Sequence, residues 1–289
     1  MGSKLTVVVI GATGKQGGAV AKGLLERDHE VRAVTRHPDS TKAKALGNAG
    51  ATLVNASLED TAALTRALQG ATSLFAVTTL AEGTDVETRQ GVSAANAAKA
   101  AGVHLVFSSV GSADRHTGIP HFESKYAVER HIAQIGVNAT ILAPVYFMEN
   151  LYFAKEQLAK GVYAAPLPPT RQLAQVAVAD IGAVAVRVLE DNSRFTGKRI
   201  EIASDELTGN DVVAILSRVT GRPFTYQQIP LDVIRQHMGE DAAKMYEWFD
   251  RVGYTVDRAA LRREFPDIAF HDFESWAKKQ DWKPLLGDA

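Results

Sequence analysis

The sequence of 289 residues contains no cysteine. Disulfide bonds, thiolate nucleophiles and thiolate metal sites are therefore excluded, and the composition is compatible with a reducing compartment inside the cell. Long apolar runs are also missing, because no stretch approaches the roughly 20 apolar residues that a membrane-spanning helix needs. The short apolar run at residues 5–10 lacks a signal-peptide cleavage pattern. We therefore expect a cytoplasmic protein that does not bind a membrane.

Neither sign of charge is in excess, because 32 basic side chains stand against 33 acidic ones. Proteins that bind a nucleic-acid backbone concentrate positive charge, so direct binding to nucleic acid is not expected. His237 and His271 show no metal-ligand spacing with other His, Asp or Glu residues, and we predict no metal. With 46% hydrophobic residues, a chain of this length can bury a sizeable core.

The sequence does contain a glycine-rich turn directly after an apolar strand, in the segment LTVVVIGATGKQGG at residues 5–18. Gly11, Gly14 and Gly17 lie three residues apart, and a helix is predicted to start near the last of them. Glycine at these positions lets the backbone turn tightly, lets a pyrophosphate approach and lets the helix pack against the sheet. The N–H groups at the helix start then face the anion, which the helix dipole also favours. The segment predicts a dinucleotide site.

The end of the second predicted strand indicates which dinucleotide binds. Residues 30–36 (EVRAVTR) alternate and are rich in β-branched side chains, which predicts a strand. NAD sites carry an acidic residue near the end of this strand, whereas this chain carries Arg36. A guanidinium suits the 2′-phosphate of NADP, so we predict NADP as the cofactor. The alternative is that Arg36 is a solvated charge and that Asp39 reaches the ribose.

Strands and helices continue to alternate up to residue 143, which predicts an α/β fold with a doubly wound, parallel Rossmann sheet. Further strands are predicted at residues 51–56, 73–78, 104–109 and 138–143, with helices at residues 82–102 and 121–135. Ligands bind beyond the carboxyl ends of such strands. Thr78 and Thr79 are therefore expected beside the glycine turn and Arg36.

The pattern changes after Pro144, where an aromatic cluster spans residues 146–153 and shorter elements follow. We predict a nucleotide-binding domain at residues 1–145 and a smaller, interleaved α/β subdomain at residues 146–289 that covers the substrate. The aromatic cluster either belongs to the core or lines the substrate cleft, and in the second case an apolar or aromatic substrate is expected. Four other large side chains are predicted as core: Met238, Trp248, Phe249 and Phe273.

Four segments, GATGKQGG, VTRHP, HFESKYAVERHI and APVYFMENL, together resemble the NmrA-like branch of the atypical short-chain dehydrogenase/reductases over most of the chain. The resemblance implies an NADP-binding Rossmann domain with a small C-terminal subdomain. It implies the pyrophosphate at the glycine turn, the 2′-phosphate at Arg36 and the nicotinamide ribose near Lys125. Ser57 stands where related proteins often carry an aspartate near the adenine, so that contact is not carried over. The cofactor residues predicted from position and resemblance are Gly11, Ala12, Thr13, Gly14, Gln16, Gly17, Arg36, Thr78, Thr79, Lys125, Pro144, Tyr146 and Phe147.

The family that the chain resembles divides in function. Some members are reductases that transfer hydride, and others resemble NmrA itself, which senses the redox state of the nicotinamide pool and binds a transcription factor. For this chain we expect a reductase that transfers hydride from NADPH to a small apolar carbonyl, enone or quinone. The alternative is a non-catalytic redox sensor that regulates a protein partner.

Reduction of a carbonyl needs a group that protonates or polarises its oxygen. Ordinary short-chain dehydrogenases use a tyrosine four residues before the lysine, and this chain has His121 there, which also argues against an epimerase-type relative. His121 and Lys125 share a helix face at this spacing, and we predict His121 or an ordered water as the proton source. A capping or solvent role for His121, and a ribose-binding role alone for Lys125, are the other interpretations. Of the two serines that end the fifth strand, Ser109 rather than Ser108 is predicted to orient the substrate oxygen.

Overall fold

The computed structural model describes residues 4–286. Its first half alternates strands and helices, because short β-branched segments are separated by helices that begin at capping residues or glycine. Two short 3-10 helices, Leu80–Glu82 and Ala113–Arg115, interrupt this half. The main elements are β1 (Thr6–Ile10), α1 (Lys15–Leu25), β2 (Glu30–Thr35), α2 (Thr41–Asn48), β3 (Thr52–Asn55), α3 (Thr61–Ala67), β4 (Ser73–Val77), α4 (Thr84–Ala101), β5 (His104–Ser108), α5 (Pro120–Ile135) and β6 (Ala139–Pro144).

The second half of the chain has shorter strands and more helix, together with a third 3-10 helix at Met148–Ala154. Its elements are β7 (Tyr146–Phe147), α6 (Lys155–Ala159), β8 (Val162–Ala165), β9 (Leu173–Val176), α7 (Val178–Glu190), α8 (Asn192–Phe195), β10 (Arg199–Ile202), β11 (Asp205–Leu207), α9 (Gly209–Thr220), β12 (Thr225–Gln228), α10 (Leu231–Arg251), α11 (Arg258–Glu264), α12 (Phe273–Lys278) and α13 (Lys283–Leu286).

A seven-stranded sheet with the strand order β10-β6-β5-β4-β1-β2-β3 forms the centre of the fold. Strands β1 to β6 pair in parallel. Every residue of β5 is buried, which is typical of a parallel strand covered by helices on both faces. The predicted doubly wound Rossmann sheet is confirmed.

The chain divides into two compact units. The first unit contains the chain up to His116, then Pro120–Pro144, then Ile181–Glu201. One stretch of this unit ends at Pro144, beside the boundary predicted at residue 145. The chain later returns to the unit and adds most of α7, all of α8 and the start of β10. The first unit is therefore discontinuous in sequence.

The second unit contains Thr117–Ile119, Val145–Asp180 and the chain from Ile202 onward. It holds a three-stranded sheet, β11-β9-β7, and a parallel pair, β12-β8. Its core is built from large side chains of α9, α12 and the segment after β7, among them Leu216, Phe273, Trp276 and Met148. This unit differs from the subdomain predicted at residues 146–289, because residues 181–201 belong to the first unit and residues 117–119 to the second.

Two local predictions were wrong, and a glycine with positive φ lies at or beside each position. The helix predicted at residues 82–102 is divided at Gly83, whose φ of +94° ends a 3-10 helix before α4 begins. Met238 is 53% exposed rather than core, and the next residue, Gly239, breaks the helical geometry of α10 with φ 88°. Trp248, Phe249 and Phe273 are buried as predicted. Within residues 4–286, no helix combines the length and the apolar character needed to cross a membrane.

Candidate functional site

The glycine turn after β1 is shaped by close approaches of its own backbone. Gly11 has φ +79°, and the N–H of Gly14 donates to the carbonyl oxygen of Gly11 at 2.9 Å. A Cβ added to Gly17 would overlap that same carbonyl, and one added to Gly11 would lie 2.5 Å from a methyl group of Val77. Gly11 and Gly17 therefore sit where side chains have no room, and a Cβ at Gly14 would lie only 3.2 Å from the Gly11 carbonyl oxygen, which fits their predicted role at a pyrophosphate.

The start of α1 is suited to an anion. Gly14 precedes the helix and has no side chain with which to cap it. The first N–H groups of a helix need partners from outside the helix, and the helix dipole favours a negative one. Gln16, in the first turn, accepts a 2.7 Å hydrogen bond at Oε1 from the Ser108 hydroxyl. The turn is thus tied to the carboxyl end of β5.

Arg36 follows β2 and forms an ion pair with Glu82, which we call the arginine pair. Its Nη1 lies 2.7 Å from Glu82 Oε1, and the two side chains are 48% and 42% exposed. Arg36 follows β2 and Glu82 lies after β4, and β1 is the strand between these two in the sheet. The ion pair therefore joins segments on either side of the strand that leads into the glycine turn. The Thr79 hydroxyl accepts from the N–H of Ala81 and so begins the 3-10 helix that carries Glu82.

Lys125 projects from α5 to the adjoining carboxyl ends of β4 and β5. Its Nζ donates to the Thr78 hydroxyl at 2.7 Å and to the Ser108 carbonyl at 3.4 Å. Nζ also lies 3.1 Å from Glu87 Oε1, and the side chains of this lysine pair, Lys125 and Glu87, are 10% and 3% exposed. The predicted site residues Lys125 and Thr78 are therefore in direct contact.

Glu87 is the charged residue at this site that sequence reasoning missed. Its Oε1 accepts from the Thr78 hydroxyl at 3.3 Å, and its Oε2 accepts from the Ser124 hydroxyl at 2.6 Å. Burial lowers the pKa of Lys125, and the Glu87 carboxylate works against that shift. One signal was available: Glu87 falls on the same α4 stripe as the small residues Gly91, Ala94 and Ala98, which is the stripe that becomes buried.

The two other predicted catalytic residues are His121 and Ser109. The His121 carbonyl oxygen accepts at 3.0 Å from the Ser124 hydroxyl, the same group that donates to Glu87. His121 is half-buried one helical turn before Lys125, with its ring edge-on to Phe122 at 4.8 Å between centroids. Ser109 is buried, and its hydroxyl donates to Glu129, which pairs with Arg199. Burial raises the pKa of Glu129, while the Arg199 guanidinium opposes that shift. Ser108, rather than Ser109, contacts both Lys125 and Gln16.

The remaining predicted residues fall in different parts of the chain. Ala12 is buried in the glycine turn beside Thr13, and the Pro144 carbonyl at the end of β6 accepts from the N–H of Gly111 at 2.9 Å. Tyr146 and Phe147 form β7 of the second unit. There the Tyr146 hydroxyl lies 3.2 Å from that of Tyr246, and burial raises the pKa of Tyr146 well above its ordinary value. The Tyr146 ring also packs edge-on against the Phe249 ring, at 6.0 Å between centroids.

A parallel doubly wound sheet whose first strand runs into a three-glycine turn defines the Rossmann class. Within that class, the chain belongs to the NmrA-like family, whose sequence profile matches residues 3–276. It is 31% identical to quinone oxidoreductase 2 of Escherichia coli, over 77% of each protein. It is 30% identical to the NAD(P)H azoreductase of Xenophilus azovorans, over 80% of each.

Solved structures agree with this assignment. The NADPH complex of the E. coli quinone oxidoreductase QOR2 superposes with a TM-score of 0.81 at 25% identity, covering 94% of this chain and 98% of that one. The NAD complex of the negative transcriptional regulator NmrA superposes with a TM-score of 0.79 at 23% identity, covering 96% and 95%. Reductases and a regulator therefore share this fold.

Proposed function

We propose that this chain binds NADP(H) and reduces small apolar carbonyl, enone or quinone compounds. The observation that carries the proposal is the buried Lys125 ammonium, held at the ends of β4 and β5 on the same sheet edge as the glycine turn. The identity to a quinone oxidoreductase and an azoreductase supports the choice of substrate class, since quinones and azo compounds are small, flat and largely apolar.

The residues of the turn fit a dinucleotide. A Cβ at Gly17 would overlap the Gly11 carbonyl oxygen and a Cβ at Gly11 would overlap a Val77 methyl group, so only glycine at both positions permits this bend of the backbone. In our proposal the residues of the turn, Gly11, Ala12, Thr13, Gly14, Gln16 and Gly17, contact the pyrophosphate, and N–H groups at the start of α1 donate to it. The N–H of Gly14 is not one of these donors, because it is bonded to the Gly11 carbonyl oxygen. Arg36 binds the 2′-phosphate of NADP, for which a guanidinium has the matching charge and geometry.

Bound NADPH would supply the hydride. Lys125 orients the nicotinamide ribose, and its charge stabilises the negative charge that develops on the substrate oxygen. The Thr78 hydroxyl and the Ser108 carbonyl hold its Nζ in place. His121, one turn earlier on the same helix, or an ordered water, donates the proton to that oxygen. Thr79, Ser109, Pro144, Tyr146 and Phe147 stay predicted contacts of the cofactor or substrate.

A redox sensor is the second candidate. The similarity in fold to the regulator NmrA favours it, and the same glycine turn would serve a protein that binds the nucleotide without turnover. In that case occupancy by the nucleotide changes a surface that a protein partner recognises. Recovery of a partner from a cell extract that depends on added NADP would support the sensor.

Turnover with a substrate panel separates the two candidates. We expect the purified chain to consume NADPH when a naphthoquinone, an enone or an azo dye is supplied, with NADH a poorer donor. The control is Gly17→Ala, which should lose nucleotide binding and turnover together because the added methyl collides with the turn. Tight NADPH binding to the parent chain without turnover of any panel member would contradict the reductase and leave the sensor.

A further inference from the structure

Glu87 is a carboxylate buried where nucleotide binding by the turn does not require one. It is 2% exposed and lies in the first turn of α4. An unpaired charge in a protein interior is strongly unfavourable, so buried carboxylates are paired and hydrogen-bonded. Both oxygens of Glu87 are engaged, Oε1 with Lys125 and Thr78 and Oε2 with Ser124.

The packing of α4 against α5 fixes where Glu87 lies. Gly91, one helical turn after Glu87, faces Val128 of α5 so closely that a Cβ on the glycine would be 2.5 Å from a valine methyl group. Val128 is three residues after Lys125 and therefore on the same side of α5. The close contact thus holds the carboxylate and the ammonium opposite each other.

Glu87 is the charged partner of Lys125. Of the charged groups in residues 4–286, Glu87 alone lies within ion-pairing distance of Nζ. The other groups around Nζ are the hydroxyl and carbonyl of Thr78, directly after β4, the Ser108 carbonyl from β5 and the Phe107 ring, whose centroid is 5.6 Å away. Burial lowers the pKa of Lys125, and Glu87 is the charged neighbour that raises it. His121 is a second titratable group, one turn away on α5.

We propose that Glu87 is a positioning residue for Lys125, which keeps its Nζ a charged ammonium at the ends of β4 and β5 where the nucleotide binds. This inference rests on the proposed function, because it takes Lys125 as a residue that contacts the cofactor. The competing explanation is that Glu87 only joins α4 to α5. The two explanations differ in how the loss of its charge depends on pH.

The test is Glu87→Gln, which keeps the shape of the side chain and its ability to accept hydrogen bonds but removes the charge. Without the carboxylate, Lys125 loses its proton at a lower pH. We expect the NADP dissociation constant of the variant to exceed that of the parent by about tenfold at pH 8, as for the loss of one hydrogen bond from a charged donor, and by less than about twofold at pH 6, where the ammonium is favoured in both chains. A purely structural role predicts the same ratio at both pH values.

The NADP phosphate also titrates near pH 6 and changes both dissociation constants alike. This effect cancels in the ratio of the two constants, so the ratio is the readout. Repeating the pair of measurements with His121→Gln in both chains removes the contribution of that imidazole. Glu59→Gln is the matched control, since Glu59 pairs with Arg89 of the same helix α4 at the surface. The Arg89 guanidinium does not titrate in this range. The NADP dissociation constant of Glu59→Gln should therefore stay close to that of the parent at both pH values.

Nitrogen-15 NMR of the lysine side chains, with Lys125 assigned by Lys125→Met, measures the charge without any cofactor. Glu87→Gln should lower the pH at which the Lys125 signal titrates. An unchanged titration, or an affinity ratio that does not vary with pH, overturns the inference. Failure of the parent chain to bind NADP would overturn the proposed function instead, and the NMR titration would still report on the pair.

Discussion

The lysine pair and the arginine pair both lie in the first unit, and each joins a cation to a glutamate near the carboxyl ends of the strands. The two pairs differ in how far their side chains are exposed. Lys125 and Glu87 are almost completely buried, whereas Arg36 and Glu82 are about half exposed. Removing one partner of a buried pair leaves an uncompensated charge and costs roughly 3–5 kcal/mol. An exposed pair contributes about 0–1 kcal/mol and is screened by salt.

The difference indicates two ways in which a site can hold charge. The buried pair fixes one geometry, and its cation keeps its place whether or not a ligand is present. The exposed pair can be exchanged at little cost, so a ligand phosphate can replace the Glu82 carboxylate at Arg36. We therefore expect substitutions in the lysine pair to affect stability and turnover, and substitutions in the arginine pair to affect the choice between cofactors.

Lys125→Met should have the largest effect. It leaves the Glu87 carboxylate buried without a cation, so we expect the free energy of unfolding to fall by roughly 3 kcal/mol, together with a loss of turnover that exceeds the loss of NADP affinity. Chemical denaturation and NADPH consumption measure the two effects. The double variant Lys125→Met/Glu87→Gln should regain part of the stability but none of the turnover. If Lys125→Met unfolds like the parent chain, the buried pair has no special energetic role.

Arg36→Ala should come next and should act on binding alone. A hydrogen bond to a charged group contributes about 1.5–3 kcal/mol, so the affinity for NADP should fall by about tenfold or more, while the affinity for NAD changes by less than about twofold. Titration of the variant with both nucleotides measures the preference. An unaltered preference would show that Arg36 does not read the 2′-phosphate, and Asp39 would then be the residue to test.

Glu82→Gln should have the smallest effect, and it should strengthen NADP binding, whereas Arg36→Ala weakens it. It removes the carboxylate that competes with the 2′-phosphate for Arg36, so the affinity for NADP should rise by about two- to fivefold at low ionic strength. The gain should shrink as salt is added, because the groups are exposed. Glu59→Gln, at the comparable surface pair with Arg89, should leave the affinity unchanged. An equal gain for NAD would mean that Glu82 acts on the whole nucleotide rather than on the 2′-phosphate.

The fold and many residues of the candidate site could be predicted from short segments of the sequence. The apolar strand before Gly11, the glycine spacing and the position of Arg36 after β2 are all properties of short segments, and the structure has the predicted sheet around them. Lys125 was found from its position four residues after His121 and from the family resemblance. These features can be predicted without knowing which helices pack against each other.

Glu87 was missed because its role depends on that packing. An acidic residue in the first turn of a helix is the ordinary choice next to the positive end of the dipole, so its position in the sequence does not distinguish Glu87 from a surface charge. Its burial follows from the close contact of Gly91 with Val128, two residues far apart in sequence. The choice between Ser108 and Ser109 was uncertain for a similar reason, since neighbouring residues of a strand face opposite sides.

The discontinuity of the first unit has a consequence for how the protein is made. Strand β10 pairs with β6 at the edge of the central sheet, and Gly182 of α7 approaches Ala19 of α1 closely. Both pieces lie more than thirty residues beyond Pro144 in the chain. On the ribosome, the nucleotide-binding unit is therefore expected to stay incomplete until residue 201 has emerged, so residues 145–180 of the second unit must be synthesised before the first can finish folding.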